Sequence, residues 1–237
     1  MTSTFSSVTL KLTSATSPPQ LLTATALAVK HNFAHLSASP PSLDECISYT
    51  EALQSTARRS LLIGCIEATE SSLHALSQVS DSTDEDNFLS AIWTTNNASL
   101  PNLLHKLITD EDSSAKILNY GLSILTNFSY ARNLVVLSAK INIKLTRAIT
   151  TINALISSSA TAVLASGALQ ALSDCEENGA TLLANKSTLN VIIKSIEDIS
   201  VDEDVLLNVV GTLWNLSMVL GCRTSLYDEG RTSTTLL

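Results

Sequence analysis

The hydrophobic positions of this chain recur. Ser113 to Ser129 (SSAKILNYGLSILTNFS), Ser157 to Ser173 (SSSATAVLASGALQALS) and Val201 to Ser217 (VDEDVLLNVVGTLWNLS) each place apolar residues three and four apart and close on a serine. The closing serines, Ser129, Ser173 and Ser217, are 44 residues apart. An apolar pair precedes each one: Leu125 and Phe128, Leu169 and Leu172, Leu213 and Leu216. One turn earlier stand Leu122, Ser166 and Val210, and two turns earlier Leu118, Ala162 and Leu206. This spacing puts them on one side of a helix. A fixed period of this length marks a stacked helical module, whose apolar side is covered by flanking helices and the next copy.

A shorter apolar helix precedes the first and third copies, in LPNLLHKLI (Leu100 to Ile108) and STLNVIIKSI (Ser187 to Ile196). Before the middle copy, Ile141 to Ile156 predicts a longer one through Ile149, Ile152, Leu155 and Ile156. Nearer the N-terminus, Leu21 to Leu36 is apolar at helical spacing (Leu22, Leu27, Val29, Phe33, Leu36), and Pro40-Pro41 then breaks the chain. Ser42 and Glu45 resemble a capping box, so a helix carrying Ile47, Tyr49 and Leu53 begins there. Thr56 to Ser77 reads as one long helix, a degenerate fourth copy, with Leu61, Leu62, Cys65, Ile66, Ala68, Leu73 and Leu76 on its buried side.

Residues 1–20 read as a flexible, Ser/Thr-rich N-terminus, although Phe5, Val8, Leu10 and Leu12 alternate enough for a short strand-like contact. Asp81 to Asp86, Asp110 to Asp112, Glu176 to Gly179 and Glu197 to Asp204 read as polar connectors, and Phe88 to Thr94, with Trp93, as a short apolar element. Asp112 or Ser113 is the expected N-cap of the first long helix. The predicted organisation is residues 1–20 flexible, 21–98 a divergent helical cap, 99–230 three repeats and 231–237 a tail. That tail is too short to cover an apolar end face; the tail itself, a partner or more chain of a longer product are the three ways to cover it.

The pattern resembles the armadillo repeat. The residues that carry the resemblance are GTLWNLS (Gly211 to Ser217), GALQALS (Gly167 to Ser173) and SILTNFS (Ser123 to Ser129), with the shorter helix before each copy. It covers roughly Asp84 to Gly230, and HEAT-like repeats share much of the motif. It implies an all-α fold, a right-handed α-solenoid of armadillo-like repeats with a period of about 44 residues. In the family a small residue lets helices approach closely. Gly167 and Gly211 fit that position, and Ser123 takes it in the first copy.

The resemblance also supplies candidate binding residues. Asn127 and Asn215 hold the position whose asparagine, in armadillo proteins, faces a concave groove and bonds the backbone of an extended peptide. The alternative is that they bond between neighbouring repeats. Helical spacing extends the row from Asn127 to Ser123, Tyr120 and Lys116, and from Asn215 to Gly211, Asn208 and Asp204. Family members that read nuclear-import signals carry tryptophan four residues before this asparagine. Here Ser123, Gly167 and Gly211 stand there, which argues against an import adaptor. Trp214 is adjacent to the asparagine and reads as packing between repeats.

Composition narrows the function classes. Hydrophobic residues are 45% of the 237 but aromatics only 4%, which suits a core of packed helices. Seven glycines and five prolines are few for a turn-rich β fold. The net charge of −8 disfavours nucleic acid, and no apolar run is long enough to span a membrane. The acidic connectors Asp110 to Asp112 and Glu197 to Asp204 read first as solvated loops with helix caps; the alternative is that a solenoid places them on one edge, which would attract a basic partner. Cys46, Cys65, Cys175 and Cys222 form no CxxC pair and read as reduced thiols of a cytoplasmic protein. The sequons at Asn97, Asn127, Asn185 and Asn215 are incidental without a secretion signal.

His31 and His35 share a helix side but lack the glutamate and third ligand of a zinc site, so no metal and no cofactor is expected. No nucleophile elbow, Walker loop or dinucleotide fingerprint is present, so no enzyme is expected. The sequence points to a non-catalytic scaffold or adaptor that binds an extended peptide or subunit along a concave surface. A structural subunit of a cytoskeletal or ciliary assembly is the other reading.

Overall fold

A computed structural model describes residues 5–30, 43–81, 100–110, 112–129, 150–157, 161–198, 200–219, 221–224 and 226–227. Among the described residues every regular element is a helix, so the fold is all-α. These include α1 (Phe5–Ser14), α2 (Pro18–Lys30), α3 (Leu43–Leu62), α4 (Ile66–Asp81), α5 (residues 100–109), α6 (Ala115–Ser129), α7 (residues 150–157), α8 (Ala162–Ser173), α9 (Glu176–Ala184), α10 (Lys186–Glu197) and α11 (Glu203–Met218), and residues 221–224 and 226–227 are helical too. The chain divides into two compact units, Met1–Leu107 with Asp112–Ile124, and Ile108–Glu111 with Leu125–Leu237.

In the first unit, α3 and α4 pack together, α2 lies on α4 and α1 lies on α3. The core contains Leu12, Leu21, Leu53, Leu73 and Leu104. Residues 5–14 are helical, where the alternation of Phe5, Val8, Leu10 and Leu12 suggests a strand-like contact. Val8, Leu12 and Ala15, spaced four and three apart, are buried, while Leu10 is exposed. The helix is held from outside. The Arg59 guanidinium donates to the carbonyls of Leu12 (2.6 Å), Thr13 (3.3 Å) and Ala15 (2.7 Å) at the C-terminal end of α1. Those carbonyls have no partner within the helix, and a cation suits the negative end of its dipole.

On α2 the buried residues are Leu21, Ala24, Thr25 and Ala28, with Leu22 exposed. The expected apolar side of Leu22, Leu27 and Val29 is thus displaced by about one position, and Phe33 and Leu36 lie outside the described residues. The helix carrying Tyr49 and Leu53 begins at Leu43, as expected, and both are buried. The capping serine, Ser42, lies outside the described residues.

The predicted single helix over Thr56 to Ser77 is broken into α3 and α4. Gly64 sits between them with φ +71°, where a side chain would be strained. The Cys65 N–H donates to the Ser60 carbonyl at 2.8 Å and closes the turn. Leu62, Ile63 and Ile66 project outward from this turn, so the buried side expected to include Leu62 and Ile66 does not.

In the second unit, α8 packs along α11, α10 also lies against α11, and α9 joins α8 and α10. The core contains Ala165, Leu169, Leu182, Ile192, Val209 and Leu216. The segment from Glu176 is helix α9, not a turn. Asn185 caps α10, its Oδ1 accepting from the Ser187 N–H at 3.1 Å. Asn153 on α7 reaches Ser187 (2.9 Å) and Thr188 (3.0 Å) on the same helix. Asp202 caps α11, its carboxylate accepting from the Asp204 N–H at 2.9 Å.

The buried side of α8 includes the expected Ser166, Leu169 and Leu172. On α11 the buried residues are Val205, Val209, Thr212 and Leu216. Of the expected side, only Leu216 is among them, and Val210 is exposed. A one-residue displacement turns a helix by about 100°, which is enough to carry valine from core to surface.

Candidate functional site

Five of the seven predicted binding residues, Lys116, Tyr120, Ser123, Asn208 and Asn215, sit where long helices meet. In the first unit Lys116, Tyr120 and Ser123 project from α6 at spacings of four and three and meet α4 in order. The Lys116 ammonium is 3.6 Å from the Glu70 carboxylate. The Tyr120 ring stacks on the His74 imidazole, centroids 5.0 Å apart and planes 15° from parallel. The Ser123 hydroxyl is 3.1 Å from that of Ser77. Each pair joins residues 46 apart in the chain. A constant offset means that both helices run in the same direction and keep one register. Ser114 adds a bond from its hydroxyl to Glu70 (2.9 Å), and its Oγ accepts from the Ile117 N–H, so Ser114 caps α6, not Asp112 or Ser113.

In the second unit α8 and α11 repeat the arrangement with different side chains. The Asn208 amide donates to the Val163 carbonyl (3.3 Å) and the Ser166 hydroxyl (3.0 Å). Seven residues on, the Asn215 amide donates to the Gln170 carbonyl (3.3 Å) and the Ser173 hydroxyl (3.1 Å). Each serine hydroxyl donates to the same carbonyl, Ser166 to Val163 at 2.9 Å and Ser173 to Gln170 at 2.6 Å. Each asparagine thus meets a hydroxyl–carbonyl pair on the neighbouring helix, at offsets of 42 and 45 residues both times. These two helices are also parallel and in register.

Of the two roles open to Asn215, the amide N–H groups serve the bond between helices. Asp204 is exposed in the first turn of α11, where its charge suits the helix dipole. Asn127 lies on α6 past the unit boundary and is half-buried.

The small positions differ from one another. A Cβ on Gly211 would strike the Gln170 side chain, which lies across α11 there. A Cβ on Gly167 would meet Asn208 Nδ2 at an ordinary 3.6 Å. The atoms nearest to Gly211 are the flexible end of the Gln170 side chain, so Gly211 gives that side chain room, and Gly167 meets no close atom.

Trp214 is exposed and does not pack between helices as expected. It belongs to a row on α11 with Leu207, Val210 and Met218, exposed to 62, 47 and 60%, Trp214 itself to 67%.

The acidic connector beside α11 is ordered locally. Asp198 accepts from the Ser200 hydroxyl (2.6 Å) and N–H (2.9 Å), and these bonds lower its pKa. Elsewhere, a shallow cleft of about 350 Å³ between α1 and α2 is lined by Lys11, Ser14, Pro19, Gln20 and Thr23, so Lys11 is its charged residue among the described ones. His31 and His35 lie outside the described residues. No described helix is long and apolar enough to cross a membrane.

The partners of the predicted row, Glu70, His74 and Ser77 on α4 and Gln170 and Ser173 on α8, lie outside the row that helical spacing picks out. Only the closing serines carried a signal, through their recurrence. No family model matches this chain, and no curated protein matches it.

Proposed function

We propose that this chain is a non-catalytic protein–protein interaction scaffold, built of armadillo-like repeats, that binds an extended peptide or a subunit along its long helices. What supports the reading is the in-register parallel packing of long helices within each unit: α4 with α6 through Glu70–Lys116, His74–Tyr120 and Ser77–Ser123, and α8 with α11 through Asn208 and Asn215. Stacked modules of this kind form broad faces suited to extended partners. The α-solenoid, its handedness and its period of about 44 residues belong to the same proposal. The proposed contact residues are the exposed Lys116 and the half-buried Tyr120 in the first unit and, separately, the exposed Asp204 in the second, with partner charge set by the acidic connectors. A cytoplasmic location, with no nucleic-acid or membrane partner, goes with it.

Display of a random extended-peptide library against the chain, followed by calorimetry of the selected peptides, tests this. Peptides that bind one to one and lose affinity with Lys116→Glu, at unchanged helix content, support it. Selection of no peptide, or affinities indifferent to that substitution, ends it.

The second reading, a subunit of a larger assembly such as a cytoskeletal or ciliary lattice, draws on the outward-facing Leu62, Ile63 and Ile66 at the α3–α4 turn. Contiguous exposed apolar side chains are where assemblies join.

A further inference from the structure

The exposed row on α11 has an internal template. The side of α8 that receives α11 is formed by Val163, Ser166, Gly167, Gln170 and Ser173. Advanced by the 44-residue spacing of the closing serines, these positions become Leu207, Val210, Gly211, Trp214 and Ser217. Leu207, Val210 and Trp214 are exposed on α11, and Met218 extends the row. The receiving side of α8 therefore has a counterpart on α11, with larger apolar side chains.

A second observation says what belongs there. On α8 the Ser173 hydroxyl donates to the Gln170 carbonyl, and that pair receives the Asn215 amide. On α11 the Ser217 hydroxyl donates to the Trp214 carbonyl at 2.7 Å, the same bond one module later. The oxygen pair that accepts an asparagine is already in place at an exposed position. The counterpart of Ser166 is Val210, which has no hydroxyl, so one asparagine is specified and not two.

We propose that the Leu207–Val210–Trp214–Met218 face of α11 is a docking site for an amphipathic helix of a partner, lying parallel to α11. The docked helix has a small residue four positions before an asparagine, the relation of Gly211 to Asn215. The asparagine donates to the Trp214 carbonyl and the Ser217 hydroxyl. The small residue lies under Trp214, as Gly211 lies under Gln170. Apolar residues on either side cover Leu207, Val210 and Met218, and burying such a patch is the main driving force of helix-in-groove binding. This inference stands on the α8–α11 packing alone. It can hold or fail whatever becomes of the extended-peptide reading.

The probe is a synthetic peptide of residues 203–218 carrying Trp214→Gln, titrated into the full chain carrying Trp93→Phe, so that Trp214 of the chain is the sole tryptophan. The expected result is a saturable blue shift of its emission. Asn215→Ala in the peptide should weaken binding about tenfold. Leu207→Ser in the chain, an exposed substitution that spares the fold, should abolish it with the circular dichroism unchanged. Three results overturn the proposal: no saturable change at peptide concentrations of about 1 mM; a red shift, which means that the peptide displaces α11 instead of adding to it; or a dimer of the chain alone that Trp214→Ser dissolves, which makes a second copy the occupant.

Discussion

Asn215 and Ser173 stand 42 residues apart in sequence and 3.1 Å apart in space, amide nitrogen to hydroxyl oxygen. The same amide also reaches the Gln170 carbonyl, to which Ser173 donates. Three groups thus form a closed set across two helices, and α11 cannot slide along α8 without breaking it. Replacing Asn215 with alanine removes the amide donor. The expected loss is about 1–2 kcal/mol of unfolding free energy, read from the urea midpoint. Asn215→Asp should be at least as harmful, since a carboxylate would face a carbonyl oxygen. An unaltered midpoint for both variants would mean that the bonds hold no register.

Gly179 faces Cys222. A Cβ added there would lie 2.8 Å from the Cys222 sulfur and 3.7 Å from both methyls of Val219. Cys222 is buried, so its sulfur has little freedom to move. Gly179→Ala should therefore destabilise by about 1–3 kcal/mol through overpacking, despite alanine's better helix propensity. In a Cys222→Ala background the sulfur is gone and most of the cost should vanish. Equal costs in the two backgrounds, measured by thermal melting, would exclude this contact as the cause.

Arg59 binds the end of α1 through three backbone carbonyls. Arg59→Ala leaves them without that donor and should cost about 1.5–3 kcal/mol. Arg59→Lys should recover only part, because one ammonium cannot reproduce the flat fork of a guanidinium. Hydrogen exchange over residues 5–14 distinguishes local loss from global loss. Rapid exchange there, with slow exchange kept in α4, is the expected pattern.

Alkaline pH should weaken the first unit through α3. Burial, with a smaller push from Glu45, raises the Cys46 thiol from 9.0 to about 11. Burial alone raises the Tyr49 phenol, whose hydroxyl donates to the Ala28 carbonyl at 3.3 Å. Both groups are acids that hold their proton more tightly in the folded chain. The Cys46 contribution is therefore intact below pH 9 and is lost as pH rises toward about 11, and the Tyr49 contribution begins to fall near pH 10, because the unfolded chain ionises first. Urea midpoints at several pH values in that window should fall, and Cys46→Ala should flatten the decline. A flat profile in the unaltered chain would contradict the burial of these groups.

Gly64 is open to a cheap test of the turn. At φ +71°, with nothing within 4 Å of its would-be Cβ, alanine meets no clash but must adopt the left-handed region. Gly64→Ala should cost about 1 kcal/mol and Gly64→Asn less. Stabilisation by alanine would mean that α3 and α4 form one continuous helix, as the apolar spacing alone suggests.

Helicity was legible in the sequence because it is local. Residues three and four apart share a helix side whatever the rest of the chain does, so Ala115–Ser129, Lys186–Glu197 and Glu203–Met218 could be placed closely from their spacing. The row Lys116, Tyr120 and Ser123 was likewise legible as a row. Tertiary packing decided which side of each helix faces inward, and what the row touches. Val210 and Trp214 read as buried but are exposed, because α8 approaches α11 on the side of Asn208 and Asn215. Leu62 and Ile66 read as core, yet the turn at Gly64 carries them outward. Local spacing sets the angle between residues about a helix axis. The direction from which a neighbour arrives depends on contacts more than forty residues away, and no short stretch of sequence contains it.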